Sequence, residues 1–358
     1  MGSFFSSPKD ENIKTPENNN TKPIKYQKPA GGQTCVPIVI CYAYIGTGYH
    51  GLQRNFGLDS IEDKLIEILI ASNLLSSESV QFLSKLKWKE ASRTDSGVHA
   101  AAQVLTLTVP FPKGLKLYDV LHLLETHTPS DSPITFWSVI SVSHKFDAQS
   151  YAQYRQYNYL MPLSTIGDYP LDSLREKILP YFIGEKNFHN YTKKISATNK
   201  SAIRIITDFT VSDPFEVSPN GQKYVLFYIR GNSFMLNQIR KMLGTILALT
   251  HNLMTFEQLA DTFTHNKWNL PRLIGDGLFL NKVEYSHFNE ISKTRKDFGA
   301  SRDVEFASMR PSIEYWKKNV LFPHIERLVN ENDIFNQWVN DTLLIFPPEL
   351  KSEADASA

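Results

Sequence analysis

The sequence predicts an α+β protein built on a mostly antiparallel sheet flanked by helices. Strand-like runs are separated now by turns and now by helical patterns, without the strict βαβ alternation of a parallel sheet. Hydrophobic residues at 42% and aromatics at 12% supply a large core and exclude global disorder. A boundary near 148–152 divides the strands into two comparable halves, as 358 residues at roughly 150 per domain suggest.

Residues 1–33 are polar, with an asparagine run at 18–20, and read as a disordered tail. Val36 to Ile45 is β-branched and aromatic, the pattern of a buried strand. Between Ser60 and Ser72, Ile61, Leu65, Ile68 and Leu69 share one helical face behind a cap at Asp59 or Ser60. Further strands are expected at 104–109, 136–140, 157–161, 205–211, 224–230 and 278–285. Helical periodicity falls at about 115–126, 172–182, 234–250 and 256–265, and again over 310–343. The expected organisation is an N-terminal unit at 34–150, a second at 151–290, a helical extension at 300–346 and a disordered tail at 347–358.

Lys plus Arg (38) balances Asp plus Glu (37), so only local charge can point to a polyanionic partner. The two cysteines, Cys35 and Cys41, form no CxxC pair, which points to a reducing compartment and excludes a cysteine-based structural zinc site. No apolar run approaches the roughly 18 residues of a membrane span, so no membrane partner is expected.

Five segments carry candidate chemistry. Gly46-Thr47-Gly48-Tyr49-His50-Gly51 spells G-x-G-x-x-G after a strand, but Leu52 to Gly57 delays the helix and no acidic strand end follows. It reads as a glycine-rich strand exit, and no nucleotide cofactor is expected. Ala91 to Ala100 is a long run of small, polar and charged residues ahead of an apolar strand, more than a simple turn requires. It would hold Asp95 at a loop tip beside Arg93, where a carboxylate can act as nucleophile or base. On the strand at Tyr157 and Tyr159, same-face rings either pack the sheet or form a stacking platform for nucleobases. From Glu185 to Arg204, five cations stand against one acid, interleaved with Phe188, His189, Asn190 and Tyr191, a composition suited to tracking phosphates. Finally, Leu236, Ile239 and Leu243 mark a helix on the core, capped by Asn232 or Ser233. Arg240 beside that stripe should be partly buried and want an acidic partner.

Together these segments resemble one family, the TruA-like pseudouridine synthases. Arg93-Thr94-Asp95 with Gly97-Val98-His99-Ala100 looks like its catalytic loop, and Tyr44-Ile45-Gly46, Tyr49, Gly51 and Gln53 like its first-strand motif. Phe146-Asp147-Ala148 followed by Arg155 to Tyr159 resembles its tyrosine motif, and Phe234 to Gly244 its arginine helix. Gly184, Asn187 to Thr192, Gln238 to Met242 and the helical extension are similar to the eukaryotic multi-site tRNA branch. The likeness runs in order over about residues 36–345.

The resemblance implies the pseudouridine synthase fold, two lobes sharing the central sheet with a cleft between them. It implies an isomerase acting on uridines of tRNA, with other structured RNA as a further substrate class, working as a monomer without metal or cofactor and placed in the nucleus. By the same resemblance Asp95 attacks the target uridine, Tyr157 stacks on it, and Arg240 pairs with Asp95. Substrate contacts are expected from Arg93, Thr94, His99 and Tyr159, from Phe188, His189 and Asn190, and from Lys193, Lys194 and Gln238. The competing class is a catalytically inactive RNA-binding or chaperone module using the same cleft. Ser96, Asn237, Glu185-Lys186 and Pro271 to Gly277 depart from the family pattern, which bears on substrate choice more than on reaction type.

Overall fold

The computed structural model describes residues 34–111, 116–219, 221–295, 303–345 and 348–350. The expected N-terminal tail, and the C-terminal one apart from 348–350, lie outside the described residues. In chain order the first half holds β1 (Thr34–Tyr44), α1 (Ile61–Ala71), β2 (Lys89–Glu90), β3 (His99–Phe111), α2 (Leu117–Thr126) and β4 (Ile134–Ser141). The second holds β5 (Tyr154–Pro162), α3 (Leu171–Ser173), β6 (Gly184–Asn187), β7 (Ile203–Val211), β8 (Phe215–Glu216), β9 (Lys223–Gly231) and α4 (Gln238–Thr250). After these come α5 (Phe256–Asp261), β10 (Trp268–Asn269), β11 (Leu278–Glu284), α6 (Ser286–Thr294), α7 (Arg310–Trp316), α8 (Phe322–Asn332), α9 (Ile334–Trp338) and β12 (Glu349–Leu350).

Ten strands form one mixed sheet flanked by helices, in the order β4-β1-β3-β11-β5-β9-β7-β6, with β2 beside β3 and β8 beside β9. Its pairings are antiparallel except one: β11 runs parallel to β3 at Phe279–His99 and Leu280–Ala100. That short seam positions everything functional. On its other edge Leu280 faces Tyr157 of β5, so the loop that feeds β3 and the tyrosine of β5 stand on the two strands that flank β11.

Ser60 caps α1, its Oγ accepting the Asp63 N–H, and Ile61, Leu65, Ile68 and Leu69 are buried as the spacing predicts. In α4, Met242, Leu243, Ile246 and Leu247 are fully buried, each worth about 1.5–3 kcal/mol. The helix starts later than its sequence pattern, with Asn237 at its N-terminus in a left-handed conformation (φ 62°), so neither Asn232 nor Ser233 caps it. Leu236 therefore precedes the helix and is exposed rather than part of the buried stripe.

The 172–182 pattern is broken into α3, a wide turn and a tight turn; Pro180, lacking an N–H, sits at the start of the last. The extension reaches the sheet through Trp316 against Trp137, Phe322 against Phe215 and Phe279, and Phe335 against Tyr159. Within the expected C-terminal tail, Glu349–Leu350 pairs with Trp268–Asn269, too short a strand for periodicity to reveal. Among the described residues no helix is long and apolar enough to cross a membrane.

Candidate active site

The loop Ala91–Val98 is held from all sides by backbone. Leu52 N–H donates to the Thr94 carbonyl (3.2 Å), Gly97 N–H to Tyr49 (3.3 Å), and the Val98 N–H closes a turn on Asp95 (3.1 Å). The glycine-rich strand exit exists to receive it. A Cβ on Gly46 would overlap the Val98 carbonyl, and one on Gly51, at φ +100°, would stand 2.8 Å from the Thr94 carbonyl oxygen. Thr94 Oγ1 shares a hydrogen bond with Tyr44 Oη (2.8 Å), and the buried Arg155 guanidinium donates to the Ala91, Gln149, Ala152 and Asn232 carbonyls. A loop so tied presents Asp95 with little freedom to lose on binding.

Arg240 approaches from α4. Its Nη1 stands 3.6 Å from Asp95 Oδ2, with the arginine side chain 11% exposed and the aspartate 23%. Its Nε donates to the Leu273 carbonyl (2.7 Å). Burial, and then the neighbouring Arg272 charge, pull Arg240 below the usual arginine range, so its environment favours a carboxylate close by. Two cavities meet at this pair. One of about 860 Å³ is lined by His50, Gln53, Asn55, Lys193, Arg272 and Asp276 among others; one of about 460 Å³ by Ser92, Gln149, Tyr157, Phe234 and Leu278. Arg93, Thr94, Asp95, Leu236, Asn237 and Arg240 line both. Tyr157 is nearly buried, its hydroxyl hydrogen-bonded to Ser92 Oγ (2.5 Å) and its ring edge-on to Phe234. Burial raises its pKa above the usual phenol value.

The strap Arg272–Asp276 closes the far wall. Its carbonyls are taken one after another by different elements: Trp338 Nε1–H on Arg272 (2.9 Å), Arg240 on Leu273, Tyr159 Oη–H on Ile274 (3.1 Å), Leu278 N–H on Gly275 (2.8 Å) and His99 on Asp276 (2.8 Å). The C-terminal helices thus help set the position of Arg240 through Trp338.

Several residues expected to touch substrate do other work. His99 is buried; its Nδ1 accepts the Gly46 N–H (3.0 Å), so Nε2 carries the proton donated to Asp276, and burial lowers its pKa to about 3. Tyr159 is buried beneath the strap it bonds. Phe188 is buried against Tyr191 and Phe263, and His189 reaches the Asn266 carbonyl (3.2 Å). Asn190 Nδ2 donates to the Thr262 and Asn266 carbonyls while its Oδ1 accepts the Trp268 N–H. Gln238 Oε1 accepts the Met235 N–H, closing the turn before α4, and the residue also lines the smaller cavity. A polar or aromatic residue beside a functional loop serves to hold the loop as readily as to meet a ligand, and these hold. Arg93, Lys193 and Lys194 are exposed, and Thr94 reaches both cavities while its hydroxyl is engaged by Tyr44.

Sequence reasoning assigns no role to Arg155, Arg272, Asn55, Asp276 and Trp338. Arg155 carries a signal, a lone cation in a strand that must be buried; Arg272 and Asp276 sit in the segment that departs from the family pattern. Asp276 is a second carboxyl in the larger cavity, its pKa raised by burial. Among the described residues no cluster of three His, Cys, Asp or Glu could hold a metal ion.

A family model described as tRNA pseudouridine synthase matches residues 178–286, the stretch from the turns ahead of β6 to the start of α6 that carries Arg240. The human pseudouridylate synthase 1 homolog is 28% identical, covering 85% of this chain and 72% of its own. The tRNA pseudouridine synthase 1 of Eremothecium gossypii is 24% identical over 85% of this chain and 72% of its own. That of Saccharomyces cerevisiae is 23% identical over 90% and 73%.

Proposed function

We propose that this chain, which belongs to the TruA-like tRNA pseudouridine synthase family, isomerises uridines of tRNA to pseudouridine, with Asp95 as the reacting carboxylate. The conversion breaks the N1–C1′ bond, turns the base in its pocket and joins C5 to C1′; the proton on C5 leaves and N1 ends protonated. A carboxylate at this place can attack C1′, add to C6 of the ring, or take the C2′ proton along a glycal route. The observation that carries the reading is the Asp95–Arg240 pair, 3.6 Å apart and partly desolvated, at the junction of two cavities.

Each surrounding residue has a task in that chemistry. Extracting a uridine from its stack costs a few kcal/mol. Phosphate contacts from Lys193, Arg272 and Arg93 on the rim offset part of it. Tyr157 lies in the smaller cavity, with its hydroxyl oriented by Ser92, where its ring can stack on the freed base. Arg240, tethered to Leu273, holds the Asp95 carboxylate through a rotation of the substrate that would otherwise displace it. The two halves of the fold serve as the lobes of a cleft, Asp95 from one and Tyr157 and Arg240 from the other.

The test is Asp95→Asn on unmodified tRNA transcripts, read by pseudouridine mapping. Conversion should fall by about four orders of magnitude or more, with RNA affinity within a few-fold of wild type. Conversion persisting at the wild-type rate removes Asp95 from the chemistry, and a wild-type protein that forms no pseudouridine removes the function.

A further inference from the structure

Between β1 and α1 the chain makes a tight hairpin that the isomerase chemistry above leaves unused. Asn55 and Leu58 form an isolated antiparallel bridge, with Leu58 N–H on the Asn55 carbonyl (3.1 Å) and Gly57 at φ +75° completing the turn. At its tip Phe56 is fully exposed, and Leu58 is exposed beside it. A phenyl ring in water costs the folded protein what its burial would return. This tip is not slack: Arg54 Nε binds Asp63 of α1 (2.6 Å) and its backbone N–H binds Glu62 (2.9 Å). The hairpin stem is joined to the Asp95 loop, since Leu52 N–H donates to the Thr94 carbonyl, and His50 N–H to Asp59 closes the stem (2.9 Å). Gln53 and Asn55 turn into the larger cavity, on the side that also carries Lys193 and Arg272.

We propose that residues 53–58 form a stacking finger, and that Phe56 lies on an unpaired nucleobase flanking the uridine brought to Asp95. The occupant follows from the setting. One ring and a partly exposed leucine offer too little apolar area for a protein partner, for which about 1,000 Å² would be needed. The ring is the right size for one base, and Lys193 and Arg272, which line the same cavity as Gln53 and Asn55, suit the phosphates on either side of that base. Gln53 and Asn55 supply donors and acceptors for its edge. Because the stem is bonded to Thr94, the stacked base sets the distance from the next nucleotide to Asp95. The inference rests on the proposed RNA substrate and names how a neighbouring nucleotide is recognised.

The experiment compares wild type with Phe56→Ala, Phe56→Leu and Phe56→Trp on unmodified tRNA, measuring affinity at several salt concentrations, conversion rate, and tryptophan emission. Stacking predicts that Phe56→Ala weakens binding about 10-fold or more, with an unchanged salt slope because no cation has been removed. Phe56→Leu, apolar but ringless, should resemble Phe56→Ala, and Phe56→Trp should restore affinity. The new indole of Phe56→Trp should be quenched by tRNA beyond any change in the native tryptophans. Affinity and rate within two-fold in all three variants, with no added quenching, overturns the finger while leaving pseudouridine formation intact. Altered self-association of Phe56→Ala with unaltered RNA affinity also overturns it, making the tip a protein contact. Quenching and loss of affinity in a protein that forms no pseudouridine would sustain the finger and sink the isomerase reading.

Discussion

The segments Arg93–Ala100 and Glu185–Arg204 look alike as sequence: each mixes small or amide residues with a cation and an aromatic or imidazole ring. In the folded chain they are opposites. The first turns its chemistry outward, with Arg93 exposed and Asp95 at a cavity junction, while His99 beneath is locked between Gly46 and Asp276. The second turns its ring and amide residues inward, Phe188, His189, Asn190 and Tyr191 all buried, and Lys186 lies over the Phe263 ring. Of its five cations Lys193, Lys194 and Lys200 are exposed, and Lys186 and Arg204 are partly buried. The difference teaches that a polar residue in a functional neighbourhood is as often an anchor as a contact, and that backbone demand separates the two. Asn190 satisfies three backbone groups of the 262–268 turn; Asp95, apart from its turn, pairs with Arg240 alone among the described residues.

That contrast breaks most sharply at Asn190. Asn190→Ala leaves the buried Thr262 carbonyl and the Trp268 N–H without this partner, at about 1 kcal/mol each, while the Asn266 carbonyl keeps His189. The expected cost is about 2–3 kcal/mol, a fall of roughly 3–4 °C in melting temperature for a chain of 358 residues. Calorimetry measures it, and tRNA affinity at a temperature where the variant is folded should stay near wild type. An intact melting temperature with lost affinity would make Asn190 a substrate contact after all.

His99 sharpens the same point through pH. Burial favours its neutral form, so the folded-state pKa, about 3, lies below the unfolded value near 6.5. Between those values the unfolded chain binds the extra proton, so this residue's contribution to stability is intact above pH 6.5 and is lost as pH falls toward 3. At about 1.4 kcal/mol per pH unit, the loss reaches about 2 kcal/mol between pH 6.5 and 5. Half-buried His324, edge-on to the same ring and bonded to Thr47 Oγ1, also has its pKa lowered, by burial and then by the Arg327 charge. Denaturation midpoints from pH 7 to 5 should therefore fall less steeply for His99→Gln than for wild type. Equal slopes would mean that His99 is solvated and free to meet RNA.

Much of this is legible in the chain. β-Branched and aromatic runs mark β1, β3 and β9, and a period-3.6 pattern marks α1, because each buries one continuous apolar set, and the outsized length of the Ala91–Ala100 stretch flags the loop. The glycines after β1 do form a strand exit, although their purpose, making room for the Thr94 and Val98 carbonyls, is a tertiary fact. The parallel seam between β3 and β11 joins residues some 180 positions apart by two pairs, and no local pattern carries that. The strap 272–276 is equally hidden: its role lies in its carbonyls, which every sequence possesses. The start of α4 escapes the pattern because Leu236 continues the apolar spacing while Asn237 adopts a left-handed turn that periodicity does not see.

The smallest expected effect tests the outward face of the basic segment. Lys193, Lys194 and Lys200 are exposed and Lys193 lines the larger cavity, so replacing all three by Gln should leave the melting temperature unchanged. Each phosphate that a removed lysine no longer neutralises lowers the slope of log affinity against log salt by about 0.7–0.9. The expected decrease is about 0.7 if Lys193 alone reaches the RNA backbone and roughly 2 if all three do. Filter binding of unmodified tRNA across a salt series measures it, and conversion at low salt should persist because none of the three lies against Asp95. An unchanged slope would leave Arg93 and Arg272 as the cations that grip RNA and would make the lysine run a solvated face, removing the last feature by which Glu185–Arg204 resembles a contact surface.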